Sequence, residues 1–309
     1  MKKDKALTLR PTWRKARLPA CSGLALALFA LLLWALLIVA PARADPGTLY
    51  VDGTGGADSG DCQTPAAPCE TIAYALSQAG SGDTILVAQG TYVENLTVDT
   101  GVTLEGGYEA TSWTRSLTQY ETIVDGSGST AQSVVSVSAG SDDVELDGLT
   151  ITGGDKAGDD GGGGVTIWTE GSVLIANSII TGNVTDRDGG GLAAYTPVSL
   201  TLDNVTVANN AAGEPFGIGG GLYFRRGAQV ELTGGQVVGN TAGDRGGGIG
   251  LDDETTSAVI SDTQVCDNVA LTGVGGGIVV TEGSLVLRNS SVRGNSAPNM
   301  EGGGIQVEA

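Results

Sequence analysis

The sequence predicts an all-β fold, a parallel β-helix of stacked coils, because three markers recur in phase along it. A glycine triplet precedes an aliphatic residue at intervals of 27, 30, 27, 29 and 27 residues: Val165, Leu192, Leu222, Ile249, Ile278 and Ile305. Five repeats also carry an asparagine in phase with these triplets: Asn183, Asn210, Asn240, Asn268 and Asn295. Isoleucine or valine lies three positions before each asparagine, and Asn, Asp or Gly lies six before it. Repeats of this length are typical of solenoids and propellers.

The apolar residues inside each repeat alternate with a period of two, as in Val165 and Ile167 or Val173 and Ile175. This period directs one set of side chains inward and predicts three short strands per repeat. A propeller blade needs about 40 residues and four antiparallel strands. We therefore favour a three-strand coil that stacks about 4.8 Å from the next one. The asparagines would then form a structural ladder that bonds the turns of successive coils.

Residues 1–44 have the composition of an export signal. A basic stretch precedes 17 apolar residues at positions 24–40, and Pro41 and Ala42-Arg43-Ala44 follow. The two small residues predict a signal peptide that is cleaved after Ala44. An uncleaved membrane anchor stays open as the alternative, because 17 apolar residues just reach the spanning range. We expect a secreted, cell-surface or outer-membrane protein, which meets a membrane only through this segment or through a C-terminal module absent from the sequence.

Two regions follow the signal peptide. Residues 45–133 lack the regular markers, and helical spacing at 72–79 predicts a short helix that caps the solenoid. The same region predicts strands at Thr84–Ala88, 92–98 and 102–104. Residues 134–309 form the regular array, which stops inside a repeat. Because an open coil exposes unpaired strand edges, we expect that the chain is truncated or that a partner covers this end.

Cysteine spacing and overall charge restrict the chemistry. Cys62 and Cys69 lie in one loop, and export permits a disulfide between them. Cys266 is predicted to be a buried thiol, and zinc is disfavoured because the chain has no histidine. The chain has 16 basic and 35 acidic residues. Removing residues 1–44 takes away eight basic residues and one acidic residue, which leaves 8 and 34 and a net charge of −26.

This charge excludes nucleic acid as a partner. It also repels an anionic polysaccharide unless cations bridge the two or a local basic patch binds it.

One set of residues is a candidate binding face. Four of its members lie one or three positions after the aliphatic residue of a glycine triplet, and their parity is opposite to that of the inward residues, so they should point outward: Trp168, Tyr195, Tyr223 and Arg225. Arg226 lies alongside them in the sequence. Aromatic rings beside arginines suit sugar rings or the surface of a partner protein. The alternative is that the long repeat before Leu222 supplies a loop, including Phe216, that covers these rings.

A second set of residues is a candidate calcium site, and no other cofactor is expected. These carboxylates precede the glycine triplets of three repeats: Asp159, Asp160, Asp186, Asp188 and Asp244. Stacked coils would bring like charges together, and calcium, which prefers oxygen ligands, would relieve the repulsion. The alternative is a hydrated acidic ridge, and the nonapeptide of calcium-binding β-rolls is absent.

Two stretches of sequence resemble known families. The pattern V/I-x-x-N followed by G-G-G-I/L resembles the F-x-x-N and G-G-A-I repeats of polymorphic outer-membrane proteins, which are autotransporter-like surface β-helices used in adhesion. It departs from them by Val or Ile for Phe and by Gly for Ala. Residues 50–52, 68–72 and 90–95 resemble the opening of many secreted bacterial right-handed β-helix proteins. Over residues 48–309, the resemblance implies a right-handed, pectin-lyase-like solenoid.

Three classes of function remain open. The first is a non-catalytic adhesion, binding or passenger segment, which we favour. The second is a carbohydrate-active enzyme such as a polysaccharide lyase or hydrolase, because Gly90-x-Tyr92-x-Glu94 resembles a pectin methylesterase motif. The esterase's later catalytic segments are missing, a polygalacturonase-like site would need histidine, and nothing singles out one arginine as a lyase base. The third class is a structural spacer. The sequence therefore assigns no catalytic residue.

Overall fold

The computed structural model describes residues 46–129, 131–140, 142–158, 160–300 and 302–308. The predicted signal peptide and Asp159 lie outside the described residues. The all-β prediction is confirmed: the described chain is a parallel β-solenoid of about eight coils with one short α-helix. No helix among the described residues is long and apolar enough to cross a membrane.

Three long sheets run along the solenoid, and every strand pair in them is parallel. Sheet 1 holds eight strands, of which the last six follow the glycine triplets: Leu96–Val98, Val135–Val137, Val165–Ile167, Leu192–Ala194, Leu222–Phe224, Ile249–Leu251, Ile278–Val280 and Ile305–Val307. Sheet 2 holds nine strands: Thr48–Val51, Thr84–Ala88, Thr103–Tyr108, Val144–Asp147, Ser172–Ala176, Ser199–Asp203, Gln229–Thr233, Ser257–Ser261 and Ser284–Arg288. Sheet 3 holds eight strands, of which the last five precede the asparagines of the repeat: Gly90–Val93, Thr122–Asp125, Leu149–Thr152, Ile179–Thr181, Thr206–Ala208, Gln236–Val238, Gln264–Cys266 and Ser291–Arg293.

A fourth sheet departs from the predicted three strands per coil. Sheet 4 consists of two-residue strands: Asp155–Lys156, Val184–Thr185, Ala211–Ala212, Thr241–Ala242 and Val269–Ala270. Two residues are too few to show an alternating pattern, so periodicity could not reveal them. The predicted strand at 92–98 is likewise two strands, because the chain turns a corner at Glu94 and Asn95 from sheet 3 into sheet 1.

The predicted register of the repeats is confirmed. Val165 pairs with Leu192, and the same column continues through the other four aliphatic residues to Ile305. The first five of these side chains are fully buried, whereas Ile305 on the last coil is 39 % exposed. The core of the solenoid is therefore a stack of aliphatic columns, one from each inward position of the repeat.

The turns between sheets 2 and 3 explain the marker six residues before each asparagine. Asn177, Asn204, Asp262 and Asn289 have φ between 47° and 55°, and Gly234 has φ of 68°. Asn, Asp and Gly tolerate this left-handed conformation better than other residues. This position therefore forms the same tight turn in each of these five coils.

The asparagine columns form a buried ladder. The side-chain nitrogen of Asn210 donates to Oδ1 of Asn240 at 3.0 Å and to the carbonyl of Ile180 at 2.9 Å. Its Oδ1 accepts from the backbone and side-chain nitrogens of Asn183, both at 3.0 Å. Asn240 and Asn268 repeat this pattern, and Asn295 receives its last bonds. The ladder satisfies polar groups at a corner where water is excluded.

The N-terminal cap consists of a loop and helix α1, Ile72–Gln78. The hydroxyl of Thr71 accepts the N–H of Tyr74, while the Glu94 carboxylate accepts the N–H groups of Ile72 and Ala73 at 3.0 and 2.8 Å. These carboxylate bonds satisfy donors that a helix N-terminus leaves unpaired. The disulfide in the preceding loop joins Cys62 and Cys69 as predicted, and Cys266 is a buried free thiol.

Candidate functional site

The aromatic residues of the candidate face stack on the outer side of sheet 1. Ile167 pairs with Ala194, so the next residues, Trp168 and Tyr195, occupy one position on neighbouring coils. Their rings stack nearly parallel, with centroids 4.9 Å apart. The ring of Tyr223 meets Tyr195 edge-on at 5.8 Å. Coil stacking thus brings together three rings that are separated by 55 residues in the chain.

The structure corrects the expectation that all three rings face solvent. Trp168 is 36 % exposed, but Tyr195 and Tyr223 are 2 % and 1 % exposed. Ile218, from the long loop before Leu222, packs against both tyrosines. The covering loop was the alternative left open by the sequence, and the three extra residues of that repeat supply it. Only Trp168 therefore offers an accessible ring on this face.

The two arginines of the candidate face have different surroundings. The guanidinium carbon of Arg226 lies 5.8 Å from the centroid of the Trp168 ring and 6.0 Å from that of Tyr195. Both distances are within the range of cation–π attraction. Nε of Arg225 instead lies 3.3 Å from Oδ2 of Asp252, which also accepts the hydroxyl of Tyr223 at 3.0 Å. Arg225 is thus neutralised, whereas the Arg226 side chain rests on the rings.

A cavity of about 370 Å³ lies beside Trp168. Hydroxyl groups from three coils share one register across sheet 1, because Thr97 pairs with Ser136 and Ser136 pairs with Thr166. The lining residues are Asn95, Leu96, Thr97, Ala131, Gln132, Ser133, Ser136, Lys156, Asp160, Thr166 and Trp168. Sequence reasoning missed most of them because the first coils lack the glycine triplet that marks the register. The signal that could have found them is a hydroxyl residue between two aliphatic residues, which recurs in Leu96–Val98, Val135–Val137 and Val165–Ile167.

The four described aspartates of the predicted calcium site have different surroundings. Asp160 lines the cavity, and Asp186 accepts the N–H of Gly158 at 3.3 Å. Asp188 accepts the N–H of Ile218 at 2.9 Å, and Asp244 pairs with Arg245 at 3.1 Å. Within residues 46–308, apart from the undescribed positions, no three potential ligands stand together as a metal site requires.

Asp188 is the buried carboxylate of this region. Burial raises its pKa to about 6, although the bond from Ile218 and the charges of Arg187 and Arg225 act in the opposite direction. Asp252 adds a smaller upward effect on this pKa. The carboxylate therefore binds a proton more readily in the folded protein than in the unfolded chain.

We expect the Asp188→Asn variant to be more stable than the parent at pH 8 and equally stable at pH 4. The folded state holds a proton on Asp188 between about pH 4 and 6 that the unfolded chain has lost, so parent stability falls as pH rises through this window. An asparagine keeps an oxygen for the Ile218 N–H and removes the cost of the buried charge, on the order of 2 kcal/mol. Urea unfolding at both pH values measures this gain, and an equal effect at pH 4 and pH 8 would contradict it.

The Gly90-x-Tyr92-x-Glu94 segment performs structural tasks. The hydroxyl of Tyr92 donates to the carbonyl of Ala88 at 3.0 Å and accepts the N–H of Gly53 at 3.2 Å. Burial raises the pKa of Tyr92 to about 12. Glu94 caps helix α1, and burial raises the pKa of its carboxyl above the ordinary value. The motif thus ties the N-terminal cap to the first coil.

Comparison with known families agrees with this architecture. The sequence profile of the right-handed beta helix region family matches residues 133–309, which is more than half of the 309 residues. The chain belongs to this family. This match confirms the right-handed β-helix repeat, while secretion and the link to polymorphic outer-membrane proteins stay predictions. Searches among curated proteins and among solved structures found no match.

Proposed function

We propose that this right-handed beta helix protein is an exported or cell-surface binding segment that adheres to a glycan without catalysis. The observation that carries the proposal is the exposed Trp168 ring, which stacks on Tyr195 beside the cavity on sheet 1. The stacking holds the indole in one orientation, so little conformational freedom is lost on binding.

The lining favours a sugar over an apolar ligand. A flat aromatic ring suits the apolar face of a sugar. The ring hydroxyls of a sugar need donors and acceptors, which the amides of Asn95 and Gln132 and the hydroxyls of Thr97 and Ser136 supply. The volume of about 370 Å³ lies within the usual range for small-ligand sites. A glycan chain along the solenoid axis would also span several coils.

We expect Trp168→Ala to weaken glycan binding at least about tenfold, because it removes the aromatic contact. The measurement is a glycan array followed by calorimetric titration of the best ligand. Phe216→Ala is the matched control, since Phe216 is 66 % exposed on the covering loop and lies outside the cavity lining. Equal binding by Trp168→Ala and the parent, with both folded, would overturn the proposal.

The same samples separate the competing functions. A carbohydrate-active enzyme would release new reducing ends or unsaturated products from the bound polysaccharide during prolonged incubation. A spacer solenoid would bind no glycan at all. Binding without product release is the result that we expect.

Export is the second part of the proposal. We expect cells that secrete the protein to release a chain that begins at Asp45, because Ala42 and Ala44 provide the small residues that a signal peptidase recognises. Intact mass of the released protein measures this. Substituting Ala44 by arginine should block the cleavage. A released chain that retains residues 1–44 would show that the segment is not a cleaved signal.

A further inference from the structure

The basic residues of the chain are concentrated on the side that carries the candidate site. After residues 1–44 are removed, the chain has 8 basic and 34 acidic residues. Five of the eight basic residues lie on sheet 4 or in the loops that flank sheet 1: Lys156, Arg187, Arg225, Arg226 and Arg245. The other three are Arg115, in the loop after the third strand of sheet 2, and Arg288 and Arg293, at strand ends in sheets 2 and 3.

Lys156 and Arg226 form no ion pair with a carboxylate among the residues that the structure describes. Arg225 pairs with Asp252, and Arg245 pairs with Asp244 and Glu308. The Lys156 ammonium instead donates to the carbonyl of Ala157 at 3.0 Å, and it lines the cavity.

The Arg226 side chain is exposed and lies over the rings of Trp168 and Tyr195. Trp168 itself lines the same cavity as Lys156. The Lys156 ammonium and the Arg226 guanidinium therefore flank the ring that the proposed ligand would contact.

We infer that the site binds a saccharide with a single acidic residue, a carboxylate or a sulfate ester, and that Lys156 and Arg226 select the anion. This inference rests on the proposed glycan-binding function. Charge-assisted hydrogen bonds from an ammonium or a guanidinium to such a group are stronger than bonds between neutral groups. Among the described residues, no ion pair of either cation has to break before these bonds can form.

The surrounding charge limits how many acidic groups the ligand carries. A net charge of −26 on residues 45–309 repels a densely charged polyanion over most of its length. One acidic sugar among neutral ones places its charge on the local basic spot and leaves neutral units on the rest of the surface. The ligand class is therefore a sparsely charged glycan rather than a polyuronate.

A variant of Asp160 gives a second test of whether the site recognises an acidic group. Its carboxylate lines the cavity with Lys156 and opposes the binding of an anion there. Replacing Asp160 with asparagine keeps a polar side chain and removes the repulsion. The variant should bind acidic ligands more tightly than the parent does, and it should prefer them to neutral ligands by a larger factor.

The test is calorimetric titration with oligosaccharides of equal length that are neutral, singly carboxylated, singly sulfated or fully uronate, at low and moderate salt. The parent should prefer one of the singly charged ligands to the neutral one by about tenfold, and salt should reduce this preference. The two singly charged ligands identify which acidic group is recognised. Lys156→Met combined with Arg226→Gln should abolish the preference, so that the folded double variant binds the neutral and the singly charged ligands about equally well. Arg288→Gln, on sheet 2, is the matched control and should behave as the parent.

The outcomes separate this inference from the proposed function. Equal binding of neutral and acidic ligands, or an unchanged preference in the folded double variant, overturns the inference, while loss of binding in Trp168→Ala still supports the glycan site. Tightest binding of the fully uronate ligand overturns the single-charge assignment. Absence of binding to every ligand overturns both proposals.

Discussion

Replacing Asn210 with alanine is expected to lower the free energy of unfolding by about 3 to 4 kcal/mol, because the change interrupts the ladder between Asn183 and Asn240. The Asn210 side chain makes four hydrogen bonds at 2.9–3.0 Å, to Asn183, Asn240 and the carbonyl of Ile180. Alanine leaves both nitrogens of Asn183 without these acceptors at a corner with no access to water. Urea unfolding followed by circular dichroism measures the loss.

Asn204→Gly is the matched control for that variant. Asn204 is an exposed asparagine six residues earlier in the same repeat, with φ of 55°, and Gly234 occupies the equivalent position in the next coil. Glycine keeps the turn and removes only one exposed side-chain bond, to Asn177 at 3.0 Å. We expect a change within about 0.5 kcal/mol. A loss below about 1 kcal/mol for Asn210→Ala would mean that the ladder is not a major source of stability.

Replacing Gly190 with alanine is expected to cost about 3 kcal/mol or more. A Cβ at Gly190 would lie 2.3 Å from the carbonyl oxygen of Gly220 and 2.5 Å from the carbonyl carbon of Ala211, both on the next coil. These are backbone atoms, so they can move away only if the coils separate. Coil separation would lengthen the bond from the Gly190 N–H to the carbonyl of Gly219, now 3.2 Å.

The control for Gly190 is Gly80→Ala. Gly80 does not have a left-handed φ, and the nearest atom to its Cβ would be Oδ2 of Asp83 at 3.6 Å, an ordinary contact. We expect a change within about 0.5 kcal/mol for this variant. The measurement is thermal unfolding of both variants beside the parent. Equal melting temperatures for Gly190→Ala and Gly80→Ala would show that the triplets do not hold the coils at this spacing.

The two markers recur in phase because they touch across one corner of the coil. A Cβ at Gly191 would lie 2.7 Å from the carbonyl oxygen of Gly221 and 2.9 Å from Nδ2 of Asn210. Because the third glycine of the triplet has no side chain, it leaves room for the ladder asparagine at this corner. The spacing between coils also sets the distance between Trp168 and Tyr195, so the geometry of the candidate site depends on how the coils pack.

The sequence by itself determined the coil, its register and its turns. Residues that repeat at fixed intervals meet identical residues in the next coil, so Val165, Asn183 and Asn177 each predict a whole column. The cysteine pair and the short capping helix were also readable, because both depend on local spacing. These features follow from contacts between neighbours in the repeat, and the sequence contains them directly.

Only the tertiary structure decided which outward side chains reach solvent and which groups surround Trp168. The alternation of side chains predicted that Tyr195 and Tyr223 lie on the outer face of sheet 1. The loop that covers them, with Ile218, comes from the longer repeat before Leu222. The cavity needs Thr97, Lys156 and Trp168 from three different coils, and the first of these coils carries no triplet. A repeated sequence predicts the features that all its coils share. This site consists of residues that differ from one coil to the next, and only the folded chain brings those residues together.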